Sequence, residues 1–340
     1  MNIMSSWANI KIPRKRDISK IPEEFRPTLL TRAERPEVVR SEAFQYTVEN
    51  DNFNSIINTF STKQIKERTN EYVGKKIESK PSPGAFELKY NNNSYVFVIL
   101  RHIRQPKDND LWISSYNSIR KYYTNKIIII DDNSMINTVN GKLYETEIIQ
   151  SEFAGAGEVL PFYYFLQQKW ADVMIFLHDS MFINRPFKDD ELDQDVKYHW
   201  YFKTNGLDDQ RKIKNYLQLL SHHKDLVDFY TDPNSSWRGV YGATLIIPYN
   251  IVSYLEEKYN IFTTLAMTIK SRKDRETFER VLGILLCYEG SVNGENCSNF
   301  GDILKYPDAF DSENNNVDTA SHIVTQRGYN TAILKVWRGR

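Results

Sequence analysis

Three runs of almost entirely apolar residues dominate the middle of the chain. They cover residues 95–100, 126–130 and 173–177, and charged or polar residues follow each run at once. An uninterrupted apolar run is typical of a strand that is covered on both faces, so we predict three central strands of a parallel sheet. Residues 111–123 between the first two runs have helical spacing, which completes a β-α-β unit with a right-handed crossover.

Weaker patterns predict further strands and helices around these three strands. A fourth strand is predicted at residues 147–150, and a small-residue turn at 154–158 opens a helix over 159–170. Further along the chain, residues 211–223 and 271–287 have helical patterns, and residues 244–247 read as another strand. The prediction is therefore an α/β fold with a mostly parallel central sheet flanked by helices.

Polar groups follow the predicted strands at the same edge of the sheet. Asp131 and Asp132 end one strand, His178, Asp179 and Ser180 end another, and Gly155 and Gly157 open a helix between them. Open α/β sheets bind ligands at the carboxyl ends of their strands, and a helix N-terminus favours an anion. Asp179 is interpreted either as a residue that handles a metal or phosphate, or as a strand-end cap.

The first part of the chain differs in character. Residues 1–93 are polar and rich in proline and charge, so we expect an irregular N-terminal extension followed by one domain over residues 94–340.

Composition narrows the class of protein. Lys and Arg number 44 and so do Asp and Glu, so no overall charge attracts the chain to nucleic acid. Cys287 and Cys297 are too few for a disulfide scaffold, and no run reaches the length of a transmembrane helix. We therefore expect a cytoplasmic protein with reduced thiols, without a membrane span and without a nucleic-acid partner.

Two of the strand ends resemble a known family. Residues 127–134, IIIIDDNS, resemble the second strand end of family 2-type glycosyltransferases of the GT-A (Rossmann-like) fold, where a carboxylate meets the uracil or ribose of a nucleotide sugar. Residues 175–180, IFLHDS, take the place of that fold's Asp-X-Asp motif, which holds a divalent cation against the diphosphate. The similarity covers roughly residues 95–290.

The resemblance implies a function and a division of the domain. It implies a hexosyltransferase that moves a sugar from a UDP- or GDP-linked donor to a glycan or protein acceptor, with Mn²⁺ or Mg²⁺. Residues 94–186 would then bind the donor, and residues 187–340 would form the acceptor half and the C-terminal tail. Asp179 and His322 are the implied metal ligands. As the alternative to a histidine ligand, the C-terminal cations Arg327, Lys335, Arg338 and Arg340 would close over the diphosphate. Only one carboxylate fits the Asp-X-Asp pattern in either register, so a metal-independent site also stays open.

Further site residues follow from the same resemblance. Trp237 and Tyr241 are candidates to stack on a sugar ring, and the alternative for Trp237 is to pack its loop onto the core. Asp274, Glu276 and Glu279 compete for the role of general base near a helix start, and Glu276 or Asp274 is favoured. Helix capping and ion pairs along the helix explain the same three carboxylates without catalysis. The residues expected to bind the donor are Asp131, Asp132, Arg101, Gly155, Gly157, His178, Ser180 and Trp237.

Two other functions remain open at this point. The incomplete Asp-X-Asp motif also suits a GT-A-like protein that has lost catalysis and acts as a binding or structural component. A nucleotidyltransferase uses a similar sheet and a divalent cation, but it usually has a glycine-rich loop after the first strand. Residues 101–106 contain no glycine, which counts against that class.

Overall fold

The structure is a computed structural model that describes residues 74–105, 108–135, 139, 141–193, 196–203, 208–292, 294–306, 326 and 328–336. Most of the predicted N-terminal extension and the proposed metal ligand His322 lie outside these residues. Among the described residues, no helix combines the length and apolar character needed to cross a membrane.

A central sheet of seven strands organises the described chain. Four neighbouring strands are parallel, in the order β4-β3-β2-β5, while β10 and β7 continue the sheet antiparallel beyond β5 and β1 pairs with β2. Its strands are β1 (Lys89–Tyr90), β2 (Asn93–Arg101), β3 (Ile127–Asp131), β4 (Thr146–Gln150), β5 (Val173–His178), β7 (Lys197–Tyr198) and β10 (Leu245–Pro248).

Two short antiparallel pairs lie beside this sheet. Strand β6 (Met181–Ile183) pairs with β11 (Ile333–Lys335), and β8 (Tyr201–Phe202) pairs with β9 (Gly239–Val240). The helices that flank the sheets are α1 (Asn109–Tyr122), α2 (Leu160–Gln168), α3 (Gln210–Gln218), α4 (His223–Thr231), α5 (Tyr249–Tyr259), α6 (Ile261–Thr268) and α7 (Arg272–Tyr288).

Both faces of β2, β3 and β5 are buried, which explains their continuous apolar sequence. Alternate side chains point to opposite faces of a strand. Phe97, Ile129 and Ile175 share one core cluster with Trp112 of α1, while Phe176 of β5 meets Phe162 of α2 edge to face. The predicted α/β class, with a mostly parallel sheet covered by helices, is thus confirmed.

The structure differs from the sequence prediction in several smaller elements. The helix predicted over 211–223 ends at Gln218, and α4 begins at His223 after a turn in which His222 has a φ of 55°. The pattern also missed α5, α6 and the short strands β1, β6, β7, β8 and β9. Ile77 and Leu88, which precede the first central strand, are buried in the same core cluster as Phe97.

Candidate functional site

A cleft of about 540 Å³ opens at the carboxyl ends of β2 and β5. From β2 the chain moves outward to β3 and β4, and it then returns to β5 on the other side of β2. The strand order therefore reverses between β2 and β5, and such switch points are where open α/β sheets bind ligands. Side chains from the ends of both strands, from the turn before α2 and from α7 line the cleft.

The end of β5 brings three of the predicted site residues into the cleft. His178, Asp179 and Ser180 all line it, and Asp179 is only 5% exposed. The Asp179 backbone N–H donates to Leu100 O at 2.9 Å, and its carboxylate accepts a long bond of 3.4 Å from the His102 N–H. These contacts hold the Asp179 carboxylate at the switch point between the two strands.

Strand β11 adds a cation to this group. Lys335 pairs with Met181 in the β11–β6 ladder, so its side chain enters the cleft beside the end of β5. Its ammonium donates to Ser180 Oγ at 2.7 Å and lies 3.1 Å from His178 Nδ1. An ammonium can donate only to an unprotonated nitrogen, so His178 Nδ1 is the acceptor and its Nε2–H donates to Gly242 O at 2.8 Å.

Gly242 is required where it meets His178. It has a φ of +62°, and a Cβ at this position would lie 2.9 Å from His178 Cε1. A side chain would thus strain the backbone and push the imidazole away from Lys335.

The two aspartates after β3 have different roles in the structure. Asp131 is fully buried under the cleft, where its Oδ2 accepts from Arg101 Nε at 2.6 Å and both side chains are 0% exposed. Burial raises its pKa, but the Ser134 N–H and the Arg101 charge outweigh this effect and lower its pKa overall. The guanidinium of Arg101 also lies 5.0 Å from the centre of the Trp112 ring. Asp131 does not line the cleft, but it holds Arg101, which does.

Asp132 faces the cleft and orders the glycine turn. Its two carboxylate oxygens accept from the backbone N–H groups of Gly155 at 2.6 Å and Gly157 at 3.0 Å. Burial raises the pKa of Asp132, while these two N–H donors lower it in part. The predicted convergence of Asp132, Gly155 and Gly157 at one edge is therefore present, with the carboxylate binding the turn itself.

Two further carboxyl groups with raised pKa values lie in the cleft. Burial and the neighbouring charge of Glu158 raise the pKa of Glu279 to about 8, although Arg280, with Nη1 3.3 Å from Glu279 Oε2, lowers it in part. Burial also raises the pKa of Glu158, although the nearby Arg275, with Nε 3.2 Å from Glu158 Oε2, lowers it. Carboxyl groups that share a low-dielectric site and repel each other are a frequent feature of catalytic centres.

The other two predicted bases have lowered pKa values. Asp274 caps α7 and pairs with Lys212 at 2.6 Å, and hydrogen bonds from Lys212 and neighbouring groups lower its pKa despite partial burial. Glu276 lines the cleft but pairs with Arg272 at 3.1 Å and Lys273 at 2.8 Å, which lower its pKa against the effect of burial. Among the three candidates, only Glu279 combines a place in the cleft with a raised pKa.

The aromatic wall of the cleft differs from the prediction. Trp237 is 9% exposed and packs against Tyr230, with ring centres 6.0 Å apart, and it does not line the cleft. Tyr241 and Phe202 line the cleft instead, and the Arg280 guanidinium covers the Phe202 ring at 4.4 Å. Of the predicted stacking residues, the structure therefore places Tyr241 in the site and Trp237 in a supporting position.

The described donors beside Asp179 do not fit a divalent cation. No group of three or more His, Cys, Asp or Glu side chains within the described ranges is arranged to hold a metal ion. Mg²⁺ and Mn²⁺ favour carboxylate and other oxygen ligands, but the Ser180 hydroxyl already accepts from the Lys335 ammonium. A divalent cation at this position would be repelled by that ammonium.

Comparisons with known proteins find distant similarity. No protein-family model and no curated protein matches the sequence. Among solved structures, S. aureus TarS 1–349 is 14% identical with a TM-score of 0.31 over 56% of this chain and 55% of that chain. The structure of TarS 1–349 in complex with UDP is 16% identical, with a TM-score of 0.32 over 57% of this chain and 54% of that chain. The mannosyltransferase Ktr4p from S. cerevisiae is 9% identical with a TM-score of 0.33 over 67% and 77%.

This chain spans about half the length of TarS, with 55% of that chain covered. The function proposed below is inferred from the geometry of the cleft, because structural similarity at these TM-scores is too weak to support a function.

Proposed function

We propose that the protein is a glycosyltransferase whose cleft binds a nucleotide-diphosphate sugar. The observation that carries the proposal is that one switch-point cleft contains both the Lys335 ammonium and a Glu279 carboxyl of pKa about 8. The first group suits the negative charge of a diphosphate, and the second suits a group that takes a proton near neutral pH. This combination supports transfer of a sugar from a UDP- or GDP-linked donor.

In the proposed reaction, a hydroxyl oxygen of a glycan or protein acceptor forms a bond with the anomeric carbon of the donor sugar. The bond from that carbon to the β-phosphate oxygen breaks, and its electron pair stays on the departing nucleoside diphosphate. The acceptor hydroxyl loses its proton to the ionised carboxylate of Glu279.

The other residues of the cleft have supporting roles in this proposal. Asp132 holds the 155–157 turn in place. Asp179 lies in the cleft between the ends of β2 and β5, within reach of a nucleoside. Tyr241 provides an aromatic face for an acceptor sugar. The nucleoside is expected at the ends of β2 and β3, and the acceptor on the side of α7.

A thermal-shift screen of the whole chain tests this proposal. The screen compares UDP, GDP and CMP with UDP-sugars and GDP-sugars, each with Mn²⁺ and with EDTA. A nucleotide at a hundredfold its Kd should stabilise the fold by about 2.7 kcal/mol, which corresponds to a rise of a few degrees in Tm. Selective stabilisation by one nucleoside diphosphate and its sugar supports the proposal, and no stabilisation by any nucleotide contradicts it.

One other function has an observation in its favour. The single carboxylate in the 178–180 segment suits a GT-A-like binding protein without catalytic activity. Nucleotide binding without transfer of the sugar to any acceptor or to water would favour that function.

A further inference from the structure

Lys335 is held more rigidly than a surface lysine. Lys335 is only 6% exposed. The neighbouring Val336 N–H donates to Ser180 O at 3.0 Å, so β11 is also bonded to the residue that the Lys335 ammonium contacts. A buried ammonium loses its hydration, so it needs hydrogen-bond acceptors in fixed positions. Ser180 Oγ and His178 Nδ1 are two such acceptors, and both are uncharged.

Three arginines that line the cleft are held in a different way. Arg272, Arg275 and Arg280 each lie within 3.2 Å of a carboxylate, on Glu276, Glu158 and Asp208 respectively. The ammonium of Lys335 is instead oriented by hydrogen bonds to Ser180 Oγ and His178 Nδ1, and its charge also acts on the Glu158 carboxyl, whose pKa it lowers.

The position of Lys335 gives it a specific role. The resemblance implies a divalent cation at the end of β5, but the described donors there do not fit one, and the ammonium lies within 2.7 Å of Ser180 in that segment. We propose that the Lys335 ammonium takes the place of the divalent cation as counter-charge to the donor's diphosphate, so that nucleotide binding and transfer proceed without a metal. This inference rests on the proposed glycosyltransferase function.

The chemistry of leaving-group departure agrees with this assignment. When the bond between the sugar and the β-phosphate oxygen breaks, negative charge grows on the departing diphosphate. A positioned cation that faces this charge in a desolvated site lowers the barrier, and it needs no reorganisation during the reaction. His178 acts as a positioning residue, because its neutral Nδ1 and the Gly242 carbonyl fix where the ammonium points.

Calorimetric titration with UDP, GDP, uridine and guanosine tests the inference on the full chain. We expect the nucleoside diphosphate that binds to do so with the same Kd in EDTA and in Mn²⁺. Lys335→Met should weaken that binding about 10- to 100-fold, as expected for the loss of a charge-assisted hydrogen bond, and leave nucleoside binding unchanged. Lys335→Arg should retain more affinity than Lys335→Met, because it keeps the positive charge.

The matched control is Lys126→Met. Lys126 directly precedes β3 at the opposite edge of the sheet, where it pairs with Glu147 at 2.9 Å, so its loss should leave the Kd unchanged. Nucleotide binding by the wild type that requires Mn²⁺ overturns the inference even when Lys335→Met fails to fold, while it leaves the proposed function supported. Equal affinity of the wild type and Lys335→Met for the nucleotide would also overturn the inference and leave the proposed function supported. No nucleotide binding under any condition overturns the proposed function as well.

Discussion

Replacing Glu279 by glutamine should reduce sugar transfer about 10²–10⁴-fold, which is the usual contribution of a general base. The amide keeps the shape of the side chain but cannot take a proton from the acceptor. Because Glu279 is assigned to the acceptor side, the Kd for the nucleoside diphosphate should change little. The measurement is kcat with the identified donor, together with a titration of the nucleotide.

The pH dependence gives this prediction a second readout. Glu279 must be ionised to act as a base and its pKa lies at about 8, so kcat/KM of the wild type should rise with pH and level off above that value. Glu276→Gln is the matched control, because Glu276 lines the same cleft but is held by Arg272 and Lys273 with a lowered pKa. Equal losses in the two variants, or a flat pH profile, would contradict the assignment to Glu279.

The same group links stability to pH. Its pKa is raised in the folded protein from a reference value of 4.5 to about 8, so the folded state favours the protonated form. The free energy of unfolding should therefore fall as pH rises from about 4.5 to about 8. In Glu279→Gln this part of the decrease should be absent, which denaturation at several pH values measures.

Replacing Asp131 by asparagine should destabilise the fold by about 3–5 kcal/mol, the cost of leaving one partner of a buried ion pair alone. Arg101 and Asp131 are both fully buried, so the guanidinium would lose the carboxylate that compensates it. Urea denaturation of the wild type and the variant measures this difference. A cost under about 1 kcal/mol, the range of a surface ion pair, would contradict the structural role.

A double variant separates charge from packing at this pair. Arg101→Met combined with Asp131→Leu removes both charges, and it should recover much of the stability lost in Asp131→Asn. Folded Asp131→Asn should still bind the nucleotide with nearly wild-type Kd, since the carboxylate faces Arg101 rather than the cleft. A large loss of nucleotide affinity in folded protein would instead support the donor-binding role that the family resemblance implies.

The sequence predicted the sheet well because burial on both faces leaves a clear pattern. The runs before Arg101, Asp131 and His178 could only be central strands, and parallel strands deliver their ends to one edge. That reasoning located the cleft. It could not separate Asp131 from Asp132, because neighbouring residues at a strand end point to opposite sides and the pattern does not say which side faces the ligand.

The remaining site residues depend on contacts between distant parts of the chain. Lys335 enters the cleft only because β11 pairs with β6, more than 150 positions earlier in the sequence, and a three-residue strand has no distinctive pattern. Glu158 read as part of a turn, and its partner Arg275 lies on another helix. The sequence favoured Asp274 or Glu276 over Glu279 as general base, and only the surroundings of Glu279 beside Glu158 distinguish it.

The central claim is that the cleft between the ends of β2 and β5 binds the donor nucleotide. A crystal structure of the protein with UDP or GDP, whichever stabilises it more, tests this claim most directly. We expect a nucleoside at the ends of β2 and β3, with its diphosphate within hydrogen-bond distance of Lys335 Nζ. A nucleotide bound outside this cleft would show that the cleft is not the donor site.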